Sequence, residues 1–340
     1  MSTTDRRSIG DILISVVIPC YNEEDVLEEL YRRVEEAAAG WGADFEVLTV
    51  DDGSTDATWD ILSGFASRNS RWKALRLSRN FGHQTALWAG LCNAEGGVVA
   101  VLDADLQDPP EVVPKLLEKW SEGFDTVYAI RTKRKEGPLK KAAYLAYYRV
   151  LACMSEVDIP LDTGDFCVMD RRVVDALTSI SEPDPFIRGL RAWLGFKQIG
   201  VAYERHQRAA GEVKYTFAKL IRLGMNGIIS FSTRPLRLAT YFGFFVSLLA
   251  FLGAVFTLVQ RVFASSFVAL GLAPAPGFAT IVIAILFLGG VQLVCLGILG
   301  EYVARVYESV KGRPQYVLSE TRGMQPTRVL DIDTNQKNVA

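Results

Sequence analysis

The sequence predicts an α/β domain, Rossmann-like and built on a mostly parallel sheet, followed by an amphipathic interfacial helix and a C-terminal two-helix transmembrane hairpin. Three observations predict it. Across residues 12–210, short apolar runs alternate with helix-like segments, and the clearest runs end in polar or acidic residues. No charged residue lies between Arg237 and Arg261, or between Arg261 and Glu301. Arginine and lysine flank that pair of stretches on their outer sides and are missing from the connector.

Taken in order, residues 1–11 are polar and predict a disordered tail. Ile14–Pro19 is an apolar run closed by proline, and an acidic helix follows from about Glu23 to Ala39. Glu46–Val50 is a second run, ending in Asp51-Asp52-Gly53-Ser54, and Val98–Leu102 a third, ending in Asp103. Apolar strands separated by helices argue for a parallel sheet buried on both faces. Ligands of such sheets collect beyond the carboxyl ends of the strands, where these three runs carry their polar residues.

Residues 211–238 predict a loop and juxtamembrane helices. Phe217, Leu220, Ile221, Met225 and Ile228 recur at helical spacing with Lys219 and Arg222 between them, the pattern of a helix lying in the headgroup plane. The hairpin is expected over 239–304, with spans at about 241–260 and 278–300. A spanning helix needs ~20 apolar residues, since a bare backbone amide in hydrocarbon costs several kcal/mol. Arg222, Arg234 and Arg237 precede the first span, and Arg305, Lys311 and Arg313 follow the second. Positive flanks favour the cytoplasmic side. The expectation is an inner (cytoplasmic) membrane protein with two spans, its soluble domain and both termini cytoplasmic. Residues 305–340 form a tail that reads as loosely ordered after Tyr316.

Composition narrows the function. The 37 Lys+Arg against 39 Asp+Glu leave a net charge of −2, which argues against nucleic acid as a partner. Five scattered cysteines and two histidines, with no CxxC pair, argue against a zinc site and a disulfide framework. No P-loop, no GxGxxG after the first strand and no nucleophile elbow occurs.

The remaining chemistry lies in Asp103-Ala104-Asp105-Leu106-Gln107-Asp108-Pro109-Pro110. Two carboxylates spaced i, i+2 beyond a strand reach one ion when the backbone turns there, and Gln107 offers a neutral amide oxygen. Mg²⁺ takes one or two carboxylates together with substrate phosphates. Alone, the same residues would also suit an acidic surface loop.

Pro19-Cys20-Tyr21-Asn22-Glu23, Val50-Asp51-Asp52-Gly53-Ser54, Arg79-Asn80-Phe81-Gly82-His83-Gln84 and the Asp103–Pro110 motif stand in order. Together they resemble family 2 glycosyltransferases with a GT-A fold. More narrowly they resemble the polyprenyl-phosphate glycosyltransferases, which include bacterial undecaprenyl-phosphate glucosyltransferases and dolichol-phosphate mannose synthase. Asp162–Phe166, Gly211–Tyr215 and Gly300-Glu301-Tyr302 extend the resemblance over roughly residues 13–316.

The resemblance implies a nucleotide site of Pro19, Tyr21, Glu23, Asp52 and Asp103. It implies a Mg²⁺ or Mn²⁺ site at Asp103, Asp105 and Gln107, and a catalytic carboxylate at Asp165, with Asp162 as runner-up. It implies phosphate contacts from Arg131, Arg134, Lys140, Arg208 and Lys214. Two positions depart from the pattern: Tyr144 and Val213 stand where the family has serines. His83 either faces the substrate or is a hydrogen-bonded structural residue.

The implied reaction moves a hexose, with UDP-glucose favoured as donor, onto a polyprenyl (undecaprenyl) phosphate with inversion. The partners are then a nucleotide sugar, a lipid phosphate and the membrane, while Gly289, Gly290, Gly297 and Gly300 would allow the close helix packing compatible with a homo-oligomer. A processive polysaccharide synthase is the alternative, disfavoured because Arg191-Ala192-Trp193 lacks the QxxRW pattern. A non-catalytic scaffold with a decayed transferase fold is disfavoured by the intact aspartates.

Overall fold

The computed structural model describes residues 7–131, 163–182, 185–204, 234–263 and 277–324. The described residues fall into two compact units. One holds 7–131, 163–182, 185–204 and 313–324, and the other holds 234–263 and 277–312.

The first unit is an eight-stranded sheet in the order β7-β5-β6-β4-β1-β2-β3-β8. Its strands are β1 (Leu13–Cys20), β2 (Asp44–Asp51), β3 (Trp72–Leu77), β4 (Val98–Val101), β5 (Thr126–Arg131), β6 (Thr163–Asp170), β7 (Gln198–Tyr203) and β8 (Leu318–Arg322). β1 pairs in parallel with both β2 and β4, β2 with β3, and β5 with β7. Only β6 and β8 run against their neighbours, so among the described strands the sheet is mostly parallel, as expected. The three apolar runs became β1, β2 and β4, buried from end to end but for the edges of β1 and β2.

Helices cover the faces: α1 (Leu27–Ala38), α2 (Thr58–Arg68), α3 (His83–Asn93), α4 (Val113–Ser121), α5 (Arg171–Thr178) and α6 (Ile187–Trp193). In α1 the buried positions Leu27, Leu30, Val34 and Ala38 recur at helical spacing. Arg32 pairs with Glu29 and Glu36 on the solvent side. α3 is apolar nearly all round and buried from Thr85 to Leu91. It approaches β1 so closely that a Cβ at Gly90 would stand 2.2 Å from Val17 Cγ1.

Two terminal expectations change. Arg7, assigned to the disordered tail, ion-pairs with Asp125 at 2.7 Å and Asp170 at 2.9 Å, while Ile9 and Ile12 pack on the core. The stretch after Tyr316, read as loosely ordered, forms β8 along β3 in the register Arg76↔Glu320. Ser78 N also donates to Val317 O at 2.8 Å.

The second unit holds α7 (Arg234–Val262) and α8 (Phe278–Val310), which pack on each other. At ~1.5 Å per residue, their 29 and 33 residues run to about 44 and 50 Å, beyond the ~30 Å of a hydrocarbon core. Both expected spans lie within these helices. Among the described residues, Phe287–Val310 is the stretch long and apolar enough to cross a membrane, while Ala239–Gly253 is apolar but shorter. The surface these helices offer is apolar, with Tyr241, Phe244, Leu293 and Val294 all exposed. The interfacial helix expected upstream lies outside the described residues, apart from Arg234–Leu236, which open α7.

Candidate active site

The chain leaves β1 for β2 and β3 on one side, then returns as β4 on the other. A cleft opens at the carboxyl ends of strands where the order reverses in this way. The loops after β1, β2 and β4 meet there. The start of β6 joins them because that strand is antiparallel: Val101 pairs with Cys167, so two more residues on each strand bring Asp103 level with Asp165.

Side chains stitch the first two loops together. Asn22 N donates to Ser54 Oγ at 3.0 Å, Thr55 N to Asn22 Oδ1 at 2.9 Å, and Glu23 N to Thr58 Oγ1 at 2.9 Å. Asn22 takes a φ of 52° to do this, a conformation asparagine tolerates better than most residues. Tyr21, in the loop after β1, is 44% exposed.

Asp52, assigned to the nucleotide, is buried and holds the Arg79–Gln84 loop. Its Oδ1 accepts from Phe81 N at 2.7 Å and its Oδ2 from Gly82 N at 2.9 Å. Burial pushes its carboxyl up, against the pull of those two backbone bonds. Gly53 follows with φ of 68°, and a Cβ there would stand 2.5 Å from the Arg79 carbonyl carbon. Only glycine permits that approach. The loop so fixed delivers His83 and Gln84 at the start of α3.

Beyond β4 the chain turns through Leu106, whose φ of 59° is unusual for a branched apolar residue. Its side chain is buried, as is that of Ala104. The turn is tightened by Gln107 N donating to Asp105 Oδ1 at 3.1 Å. Ala104 and Leu106 join the core, Asp105 is buried beside them, and Asp103 and Gln107 are partly exposed. The Asp108 carboxylate, nearly inaccessible, accepts from the Tyr203 hydroxyl.

Among the described residues Asp103 Oδ1 accepts no hydrogen bond; the His83 imidazole Nε2 lies 3.8 Å away. Burial, then the charges of Asp108, Asp165 and Asp105, push the Asp103 carboxyl up to about 7 against the attraction of His83.

Asp165 has the opposite surroundings. Gln84 Nε2 donates to its Oδ2 at 2.9 Å, where His83 Nε2 also lies at 3.2 Å. Arg188 Nε donates to its Oδ1 at 3.0 Å. Burial would raise its pKa, but the His83 hydrogen bond and the charges of Arg188, His83 and Arg191 hold it well below the usual carboxylate range. Such a group is a poor proton acceptor and a well-fixed anion. His83 shifts the other way: burial disfavours its charge, but the Asp165 bond and the two carboxylates outweigh it and raise its pKa. Arg191 is fully buried over the Tyr128 ring, 5.6 Å from its centroid.

The structure therefore brings Asp103, Asp105, Gln107 and Asp165 to one end of the sheet, together with Pro19, Tyr21, Glu23 and Asp52. Arg134, Lys140, Arg208, Lys214, Asp162, Tyr144 and Val213 lie outside the described residues, and Arg131 is described only as the last residue of β5. Sequence reasoning missed Arg188 and Arg191 as site residues and gave Gln84 no role of its own. Gln84 was visible inside the Arg79–Gln84 motif; Arg188 carried no local signal.

Among the described residues no three His, Cys, Asp or Glu groups gather as a ready-made metal cage. The donors nevertheless suit a hard divalent cation, which takes one or two carboxylates and leaves other positions for phosphate oxygens. The bare Asp103 Oδ1 and the mutual repulsion of the carboxylates are what a cation would relieve.

Residues 15–178 match the family model described as Glycosyl transferase family 2, and residues 234–306 match the GtrB C-terminal hairpin. The chain is 42% identical over 319 residues to the uncharacterized glycosyltransferase YkcC of Bacillus subtilis, covering 94% of this chain and 97% of that one. It is 38% identical over 314 residues to a bactoprenol glucosyl transferase of Shigella phage SfII, covering 92% and 99%. A solved structure of glucosyl-3-phosphoglycerate synthase from Mycobacterium tuberculosis, with Mn²⁺, UDP and glucosyl-3-phosphoglycerate, aligns with a TM-score of 0.44. That match is 20% identical and covers 64% of this chain and 78% of the other.

Proposed function

The chain belongs to glycosyl transferase family 2 and carries a GtrB-type hairpin, and from that premise we propose that it glycosylates a polyprenyl phosphate at a membrane surface. The donor in this reading is a nucleotide diphosphate sugar, with UDP-glucose favoured. The acceptor is undecaprenyl phosphate, in line with relatives named bactoprenol glucosyl transferases. The observation that carries the reading is the convergence of the Asp103–Asp105 pair and Asp165 beyond the carboxyl end of β4, where the strand order reverses between β1 and β4.

An acceptor phosphate oxygen attacks the anomeric carbon while the bond from that carbon to the nucleoside diphosphate breaks, so the anomeric configuration inverts. A phosphate monoester has a second pKa of about 6 and is largely ionised at neutral pH, so no strong base is required. Asp165, held ionised by its donors, then serves as a fixed negative charge near the sugar. Tyr21 offers a stacking face to the base, and Glu23 a carboxylate to the nucleoside. Asp103, Asp105 and Gln107 would hold Mg²⁺ or Mn²⁺, which offsets charge on the diphosphate when bound. The basic residues Arg131, Arg134, Lys140, Arg208 and Lys214 are assigned to the phosphates on the resemblance alone.

The test is incubation of membranes containing the protein with undecaprenyl phosphate, Mg²⁺ or Mn²⁺ and a panel of labelled sugar nucleotides. A lipid-soluble, mild-acid-labile product from UDP-glucose is expected, and none from the Asp105→Asn variant. Absence of such a product from every donor would overturn the reading. Near-normal turnover by Asp105→Asn in Mn²⁺ would remove the cation assignment.

A further inference from the structure

Both oxygens of Asp165 are engaged, and by residues from two different helices. Gln84, second residue of α3, donates through Nε2 to Oδ2 at 2.9 Å. Arg188, second residue of α6, donates through Nε to Oδ1 at 3.0 Å. Gln84 also accepts, through Oε1, the backbone N–H of Ile187 at 3.0 Å. Ile187 opens α6, so its N–H has no partner within the helix and needs an outside acceptor. That requirement settles which way the amide faces: oxygen to the helix start, nitrogen to the carboxylate.

We propose that Gln84 and Arg188 are positioning residues for the transfer, fixing the place and the plane of the Asp165 carboxylate by one donor on each oxygen. The inference deepens the function proposed above and rests on its reading of Asp165 as a group the reaction requires. One donor would leave a carboxylate free to swing about its Cβ–Cγ bond; donors on both oxygens remove that freedom. The arrangement is directed at the cleft, since the same carboxylate lies 3.2 Å from His83 Nε2, which reaches on towards Asp103 at 3.8 Å. Gln84 adds a mechanical link, because one amide ties the starts of α3 and α6 to a single anion. Glutamate at position 84 has the same size but presents a second carboxylate to Asp165 and defeats the purpose.

The experiment measures initial rates of the full-length protein in membranes, with UDP-glucose and undecaprenyl phosphate as probes, alongside thermal unfolding. Asp165→Asn is expected to lower kcat by about 10²-fold, the scale of a misplaced reacting group. Arg188→Ala and Gln84→Met are each expected to lower kcat about tenfold or more while donor KM moves by less than about threefold. Added guanidinium ion should restore part of the Arg188→Ala rate and none of the Asp165→Asn rate. The double variant Asp165→Asn/Arg188→Ala should be no slower than Asp165→Asn, because residues acting through one group do not add. Should Arg188→Ala unfold, Gln84→Glu carries the same test with little change in volume.

Wild-type kcat in Gln84→Met and Arg188→Ala beside an inactive Asp165→Asn would overturn the inference and leave the proposed function standing. Multiplied losses in the double variant would overturn it too, assigning Arg188 an independent contact. Wild-type kcat in Asp165→Asn would instead strike the underlying reading.

Discussion

Asp103 has like charges around it and no hydrogen-bond donor on Oδ1 among the described residues, so its proton is held up to about pH 7 in the metal-free protein. A cation ligated by the ionised form must displace that proton. The sign follows from the raised pKa. Below neutrality, Mn²⁺ binding should release close to one proton per ion, and well above it almost none; calorimetry in buffers of different ionisation enthalpy measures this. Proton release that does not depend on pH would mean that binding does not displace a proton from Asp103. At this scale the sequence was partly legible. Asp103, Asp105 and Asp165 stood in recognisable strings. Arg188 did not, because its role exists only once an antiparallel β6 carries Asp165 back beside α6. The hold of Asp52 on the Arg79–Gln84 loop was not legible, since its partners there are backbone N–H groups 29 residues onward.

Strands β1, β2 and β4 were readable because each is buried on both faces and therefore nearly continuous in apolar residues. β8 was not, since Leu-Ser-Glu-Thr-Arg is an edge strand whose side chains are half-exposed and polar. Its stability comes from the backbone ladder to β3 and from surface pairs such as Arg76 with Glu320 at 3.5 Å. Ending the chain after Gln315 removes that ladder and leaves β3 as an unpaired edge. We expect a melting temperature lower by several degrees, for a loss of about 1–3 kcal/mol, and concentration-dependent aggregation through the bared strand. Differential scanning fluorimetry and light scattering check both. An unchanged melting temperature would make β8 a passenger on the sheet.

For the whole molecule, the two-part organisation was evident from charge alone, because an uncharged run longer than a soluble core helix requires a different solvent. The chain associates with a membrane through its GtrB-type hairpin, and two true spans are the expectation from the sequence. If α7 and α8 both cross the bilayer, an alkaline carbonate wash should leave the protein in the pellet, whereas a protein resting on the surface should be released. The order of strands carries a separate consequence. Among the described strands, β7 is the last before the hairpin and β8 the first after it, and they are the two opposite borders of the same sheet. The hairpin is thus a detour in the middle of a folded unit. Cutting the chain after α8 therefore leaves the sheet covalently joined to the hairpin through the segment before α7, whereas a cut before α7 leaves β1–β7 joined to it non-covalently, through β8.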